Sequence, residues 1–166
     1  LRGRNVGFAR AAGAAAMLAI GARWLAFSDA DTRVSEGWLC EQLLLGADAV
    51  CGTVGVEDWF CHGDSAQWLR EHFDATYQDV DGHSHVHGAN LGVSASAYRN
   101  AGGFKHLRCC EARHLVEALA ASGARIAWSA RPRVVTSARR DVRAQGGFGS
   151  HLSSAAASRD QCAANA

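Results

Sequence analysis

The stretch "WLAFSDADTRVS", residues 24–35, decides how the rest of the chain is read. Trp24 to Phe27 make a short, continuously apolar run of the kind that forms a strand buried on both faces of a parallel sheet. The run ends in two carboxylates one residue apart, Asp29 and Asp31, where bare negative charge is least welcome. An acidic turn before a helix explains one of them. A pair suits a hard divalent cation, which takes oxygen ligands and bridges to a phosphate. In an open parallel sheet ligands bind beyond the carboxyl ends of the strands, and Asp29 and Asp31 sit at such an end.

Upstream, residues 4–22 are Ala-rich and read as a helix, with Val6, Gly13, Met17 and Ile20 on one apolar stripe. Arg10 lies on that stripe, and an inward guanidinium needs an anion to meet. Downstream, Ser35 is the expected N-cap of a second helix, with Val34 and Leu39 as a hydrophobic staple. Leu39, Leu43 and Leu44 are its expected apolar face and Gly46 its stop. "ADAVCGTVG" follows as a strand, then a helix over residues 66–77, a short strand at "HVHGAN", and a helix from Ser94. Glu111 to Ser122 reads as a further amphipathic helix, and "RIAW" and "RVVTS" as two short strands flanking Pro132. Alternating helices and strands predict an α/β fold, a mostly parallel sheet flanked by helices. Residues 1–150 form the expected domain and residues 151–166 a flexible tail.

The totals narrow the function classes. With 166 residues, 48% hydrophobic and 20% charged, the chain suits one soluble domain with a real core. A net charge of +1 argues against a nucleic-acid binder that relies on bulk positive charge. No apolar run reaches the roughly 18 residues of a membrane helix, so no transmembrane segment is expected. Peripheral membrane contact stays open. Six cysteines without CxxC spacing read as reduced thiols in a cytoplasmic protein.

Three further constellations carry chemistry. "HSHVH" places His83, His85 and His87 on one side of a strand, a candidate zinc site, against the plainer reading of a polar strand end with unliganded histidines. In "GANLG", Gly88 and Gly92 permit close backbone approach and Asn90 offers a donor and acceptors to sugar hydroxyls, or the motif is simply a tight turn. In "TSARRDVRAQGGFG", Arg139, Arg140 and Arg143 precede a glycine-rich segment and suit a diphosphate clamp, or a solvated basic loop.

In this order, "GRNVGFARAAGAAAML", "LAFSDADTRVSEGWL", "ADAVCGTVGVEDW", "HGANLGVSASAYRNAGGF", "EARHLVEAL" and "VVTSARR" resemble the family 2 glycosyltransferases of the GT-A fold. The resemblance implies a GT-A-like, Rossmann-like sheet and inverting, metal-dependent transfer of a sugar from a nucleotide-diphosphate sugar to an acceptor hydroxyl. It implies that Asp31 ligates Mg²⁺ or Mn²⁺, and that Asp29 binds the cation or the nucleotide ribose. Arg10, Arg139 and Arg140 would face the nucleotide and its phosphates. His87, Gly88, Ala89 and Asn90 would line the sugar and acceptor pocket. Two departures stand out. The family's first strand and helix, which cradle the base, have no counterpart after Leu1, so the resemblance is to an N-terminally incomplete domain. In "CCEARHL", Glu111 keeps the family's Glu, but Ala112 stands where the usual Asp base would take the acceptor's proton. Two alternatives follow: a catalytically degenerate nucleotide- or glycan-binding module, and a zinc-binding protein using the three histidines.

Overall fold

The computed structural model describes residues 5–139. Arg140, Arg143 and the expected tail over residues 151–166 lie outside them. The elements run α1 (Val6–Ala19), β1 (Trp24–Phe27), α2 (Trp38–Leu44), β2 (Ala49–Gly55), a short 3₁₀ stretch (Phe60–Ser65), α3 (Ala66–Thr76), β3 (Leu91–Ser94), α4 (Ala95–Asn100), α5 (Glu111–Ala121) and β4 (Ile126–Val135). The fold is mixed α/β.

The sheet is open, in the order β1-β3-β2-β4. The expectation of a mostly parallel sheet is corrected: only β2 and β4 run parallel, while β3 is antiparallel to both β1 and β2. The reason lies in the long connection after β2. It brings the chain back to the sheet at the end where β2 finishes, with Leu91 opposite Cys51, and β3 must then run backwards. β1 is consequently an edge strand. Leu25 is buried but Ala26 is exposed, contrary to the reading of a strand covered on both faces. That description belongs to β2, buried along its whole length.

"RIAW" and "RVVTS" are joined in one strand through Pro132. Gly52 pairs with Ser129 and Val54 with Val134, so β4 bulges around the proline, which has no N–H to give the ladder. "HVHGAN" forms no strand; residues 83–87 are irregular.

One face of the sheet carries the main core, where Ala14, Leu25, Cys51, Leu91, Val93, Tyr98, Phe104, Leu115 and Leu119 pack together beneath α1, α4 and α5. α2 covers part of the other face. The structure reverses the expected face of α2: Leu39, Leu43 and Leu44 are exposed, as is Val34, and the buried residues are Trp38 and Gln42. Hydrogen bonding explains the choice. Trp38 Nε1 donates to Asn90 Oδ1 at 2.9 Å, and Gln42 Oε1 accepts from Trp24 Nε1 at 3.0 Å, so each buried indole N–H meets an amide oxygen. The helix is capped at Gly37 without a side-chain bond, not at Ser35.

α1 is also rotated from expectation. Met17 and Ile20 are exposed, and its buried residues are Gly7 and Ala14. Gly7 N donates to Leu107 O at 3.1 Å, and a Cβ there would strike Lys105 O and lie 2.7 Å from Leu107 N. Small residues win this stripe because backbone packs against backbone. Gly7→Ala is therefore expected to destabilise the fold by about 2 kcal/mol through overpacking, reversing the gain of about 1 kcal/mol that alanine brings to a helix interior. Urea denaturation measures it.

Candidate functional site at the carboxyl ends of the strands

The loop after β1 crosses the end of β4. Arg33 and Val135 exchange backbone hydrogen bonds of 2.8 and 3.0 Å, and the hydroxyls of Thr32 and Thr136 lie 2.9 Å apart. This docking holds the acidic loop at the sheet's carboxyl end and brings Asp31 to Arg139, with 3.0 Å between Oδ2 and Nη2. Both side chains keep solvent access, 26% for Asp31 and 45% for Arg139.

Asp29 meets a different partner. Arg10 reaches out of α1, donating from Nη2 to Asp29 Oδ1 and from Nη1 to the carbonyl of Gly88. Its Nε lies 3.3 Å from Glu111 Oε1, within ion-pair range but without hydrogen-bond alignment. The ring of Phe104 lies 5.9 Å from the guanidinium carbon. Arg10 thus turns inward, but beside Gly7 and Ala14 and not on the expected stripe of Val6, Gly13, Met17 and Ile20, and the anions it meets are two of the protein's own carboxylates. Gly88 permits this, since a Cβ would come within 2.6 Å of Nη2.

α5 starts at Cys110, a non-glycine residue with φ of 62°, and its first residue is the buried Glu111. Ala112 is buried in the main apolar cluster, 6% exposed. Position 111, not 112, supplies the carboxylate to the Arg10 group.

The remaining pocket residues fall elsewhere. Asn90 is fully buried; its Nδ2 donates to Thr53 O at 2.7 Å and to Pro132 O, while Oδ1 accepts from Trp38. The amide expected to read a sugar is spent inside the protein, filling the gap left by the β4 bulge. Ala89 packs with Trp38, Val54 and Val134. His87 Nε2 is 2.9 Å from the hydroxyl of Tyr77, which also accepts from Val54 N at 2.9 Å. Burial, assisted by the charge of Asp79, pushes the Tyr77 phenol up to about 12. Tyr77 escaped the sequence reading, although its spacing of four from Phe73 on α3 signals an inward face; their rings stack at 4.6 Å.

The three histidines do not line a strand as expected. His83 and His85 stack, His87 lies tilted beside His85, and among the described residues no group of three or more His, Cys, Asp or Glu is placed to hold a metal ion. Cys40, Cys51, Cys61, Cys109 and Cys110 are free, and burial pushes the Cys51 thiol up to about 12. An open depression of about 450 Å³, lined by Gly21, Ala22, Arg23, Ala95, Ser96 and Arg99, lies where β1 begins and β3 ends, away from the charged cluster. No helix among the described residues is long and apolar enough to cross a membrane.

No protein-family model matches the chain, and no curated protein matches it. What the site can do rests on its own chemistry. Arg10, Asp29, Gly88 and Glu111, with Asp31 and Arg139 beside the same loop, come from five stretches of sequence and make a charged group over one end of the sheet. The group pairs each of its two arginines with a carboxylate, and the partly exposed Asp31–Arg139 pair is its polar face toward solvent.

Proposed function

We propose that the chain binds a nucleotide-diphosphate sugar beyond the carboxyl ends of β1, β2 and β4, as a GT-A-like glycosyltransferase acting on an acceptor hydroxyl. The observation that carries this reading is the placement of Asp31 and Arg139. Their pair is partly exposed, and Arg139 can leave Asp31 for a phosphate. Arg10 behind it is already matched by Asp29 and Glu111 and fixed by Gly88, so Arg139 is the cation left to meet the phosphates. An arginine positioned there stabilises the negative charge that gathers on a departing diphosphate.

Carboxylate oxygens are the right donors for Mg²⁺ or Mn²⁺. Asp29 and Asp31 are each engaged by an arginine, however, and the described residues offer no third ligand, so they do not fit a resident ion. The cation is read here as part of the substrate, arriving on the diphosphate.

One observation favours a second reading, a module that binds donor without turning it over. Ala112 carries no base and is packed in the core, and Glu111 is occupied by Arg10. Melting the protein with Mn²⁺ and each common nucleoside diphosphate tests donor binding. A ligand at a hundred times its Kd adds about 2.7 kcal/mol to the folded state. The expected result is a raised Tm with one of them, abolished in Arg139→Ala, which removes the phosphate's partner. No shift with any, or an equal shift in the variant, overturns the reading. Release of nucleoside diphosphate from the matching sugar donor, with and without acceptors, then separates the transferase from the binding module.

A further inference from the structure

We propose that His83, His85 and His87 form an acid-sensitive latch that holds residues 78–88 against the sheet, and with them the Gly88 carbonyl that anchors Arg10. The argument rests on which atoms donate. The backbone N–H of Gln78 donates to His85 Nε2 at 3.3 Å, and the N–H of His85 donates to His83 Nδ1 at 3.1 Å. A backbone amide can only donate, so both ring nitrogens are acceptors and both rings are neutral in this arrangement. Adding a proton to either nitrogen sets donor against donor and releases the amide. Tyr77 supplies the third tie, its hydroxyl standing 2.9 Å from His87 Nε2.

Packing ties the three rings together. His83 is 2% exposed, and its ring stacks on His85 at 5.3 Å. His85 stacks on Tyr77 at 4.3 Å and lies 5.8 Å from the ring of His87. Trp128 of β4 closes the far side of His83, edge-on at 5.9 Å. His83 Nε2, the nitrogen that carries the proton in this tautomer, is buried without a partner. Two charged rings in such a column would repel at close range and with little solvent to screen them.

The charged neighbours are few. Asp79 faces His85 but is paired with Arg133 of β4 at 2.7 Å. Asp81 accepts from Ser129 Oγ at 2.7 Å and Ala130 N at 2.8 Å, with Arg131 also near, and these bonds hold its carboxyl below the usual range. Burial, then the neighbouring His83, holds the His85 ring below its ordinary 6.5 against the opposing charge of Asp79; the Gln78 N–H, which donates to the neutral ring, favours the same unprotonated form. The sign follows. Below 6.5 the unfolded or opened chain takes up the proton first, so the latch is at full strength above that value and weakens as pH falls through it.

The test reads the two amides directly. Hydrogen exchange of the intact chain is measured at about pH 7.5 and about pH 5.5, corrected for intrinsic rates, in the range where histidine titrates. The amides of Gln78 and His85 are expected to lose protection by at least about ten-fold at the lower pH, the factor worth one unit of differential protonation, while those of β2 keep theirs. The double variant His83→Asn, His85→Gln keeps an acceptor at each place without the charge and is expected to remove the pH dependence. Constant protection in the parent, or an equal loss in the variant, overturns the latch. If the variant does not fold, the parent's profile decides alone: a loss confined to residues 78–88 supports it, and a loss shared equally with β2 and α5 overturns it.

Discussion

Replacing Asn90 with leucine is expected to cost about 4 kcal/mol, since each buried polar group left unpaired costs about 1–3 kcal/mol. Three groups lose their partner: the Trp38 indole N–H, the Thr53 carbonyl and the Pro132 carbonyl. No water reaches the position, where Asn90 is 0% exposed. The loss is a large part of the roughly 5–15 kcal/mol that holds a typical domain together, so the variant stands near the edge of folding. Urea denaturation measures it. Adding Trp38→Phe removes one of the orphaned groups and should return about 1 kcal/mol, the net worth of a single hydrogen bond. A cost below that figure for Asn90→Leu would show that the carbonyls find other partners when the bulge relaxes.

Arg10→Met is the second large effect. Removing one member of a buried ion pair leaves the other charged and unsolvated, at about 3–5 kcal/mol. Glu111 is that member, with its side chain 10% exposed. Asp29 is 45% exposed and contributes little, because water screens it. The expected cost is therefore about 3 kcal/mol, at the lower end of that range, since Glu111 keeps a thin solvent edge. Glu111→Gln in the same chain should recover most of it, because no uncompensated charge remains. A double variant as unstable as Arg10→Met alone would assign the loss to the missing Gly88 bond and the Phe104 contact instead.

The residues differ in how far they could be read without the fold. Arg10 was expected inward from a stripe of Val6, Gly13, Met17 and Ile20 that the fold does not bury; it turns inward beside Gly7 and Ala14 instead. Its anions were not legible, because Asp29 and Glu111 come from the loop after β1 and the start of α5, which meet Arg10 only in the folded chain. Asn90 misled for the opposite reason: an asparagine between glycines looks like a turn or a ligand contact, and nothing nearby announces a bulge in β4 that needs an amide donor. The leucines of α2 formed the more obvious stripe, yet Trp38 and Gln42 went inward, because the sheet offered them hydrogen-bonding partners. Histidines at alternate positions suggested a strand; His85 instead stacks on Tyr77, brought up by α3, and on His83.

By itself the sequence determined the α/β class, the helices and most strands within a few residues, and the acidic loop after β1. These follow from patterns a few residues long, where propensity, capping and apolar periodicity act on immediate neighbours. Only the tertiary structure decided that β3 runs backwards between β1 and β2, that α1 and α2 bury their less greasy faces, and that Glu111 joins Arg10 while Ala112 enters the core. Each of those outcomes depends on which distant group is present to satisfy a buried charge, an N–H or a carbonyl, and that is settled only when the chain has closed on itself.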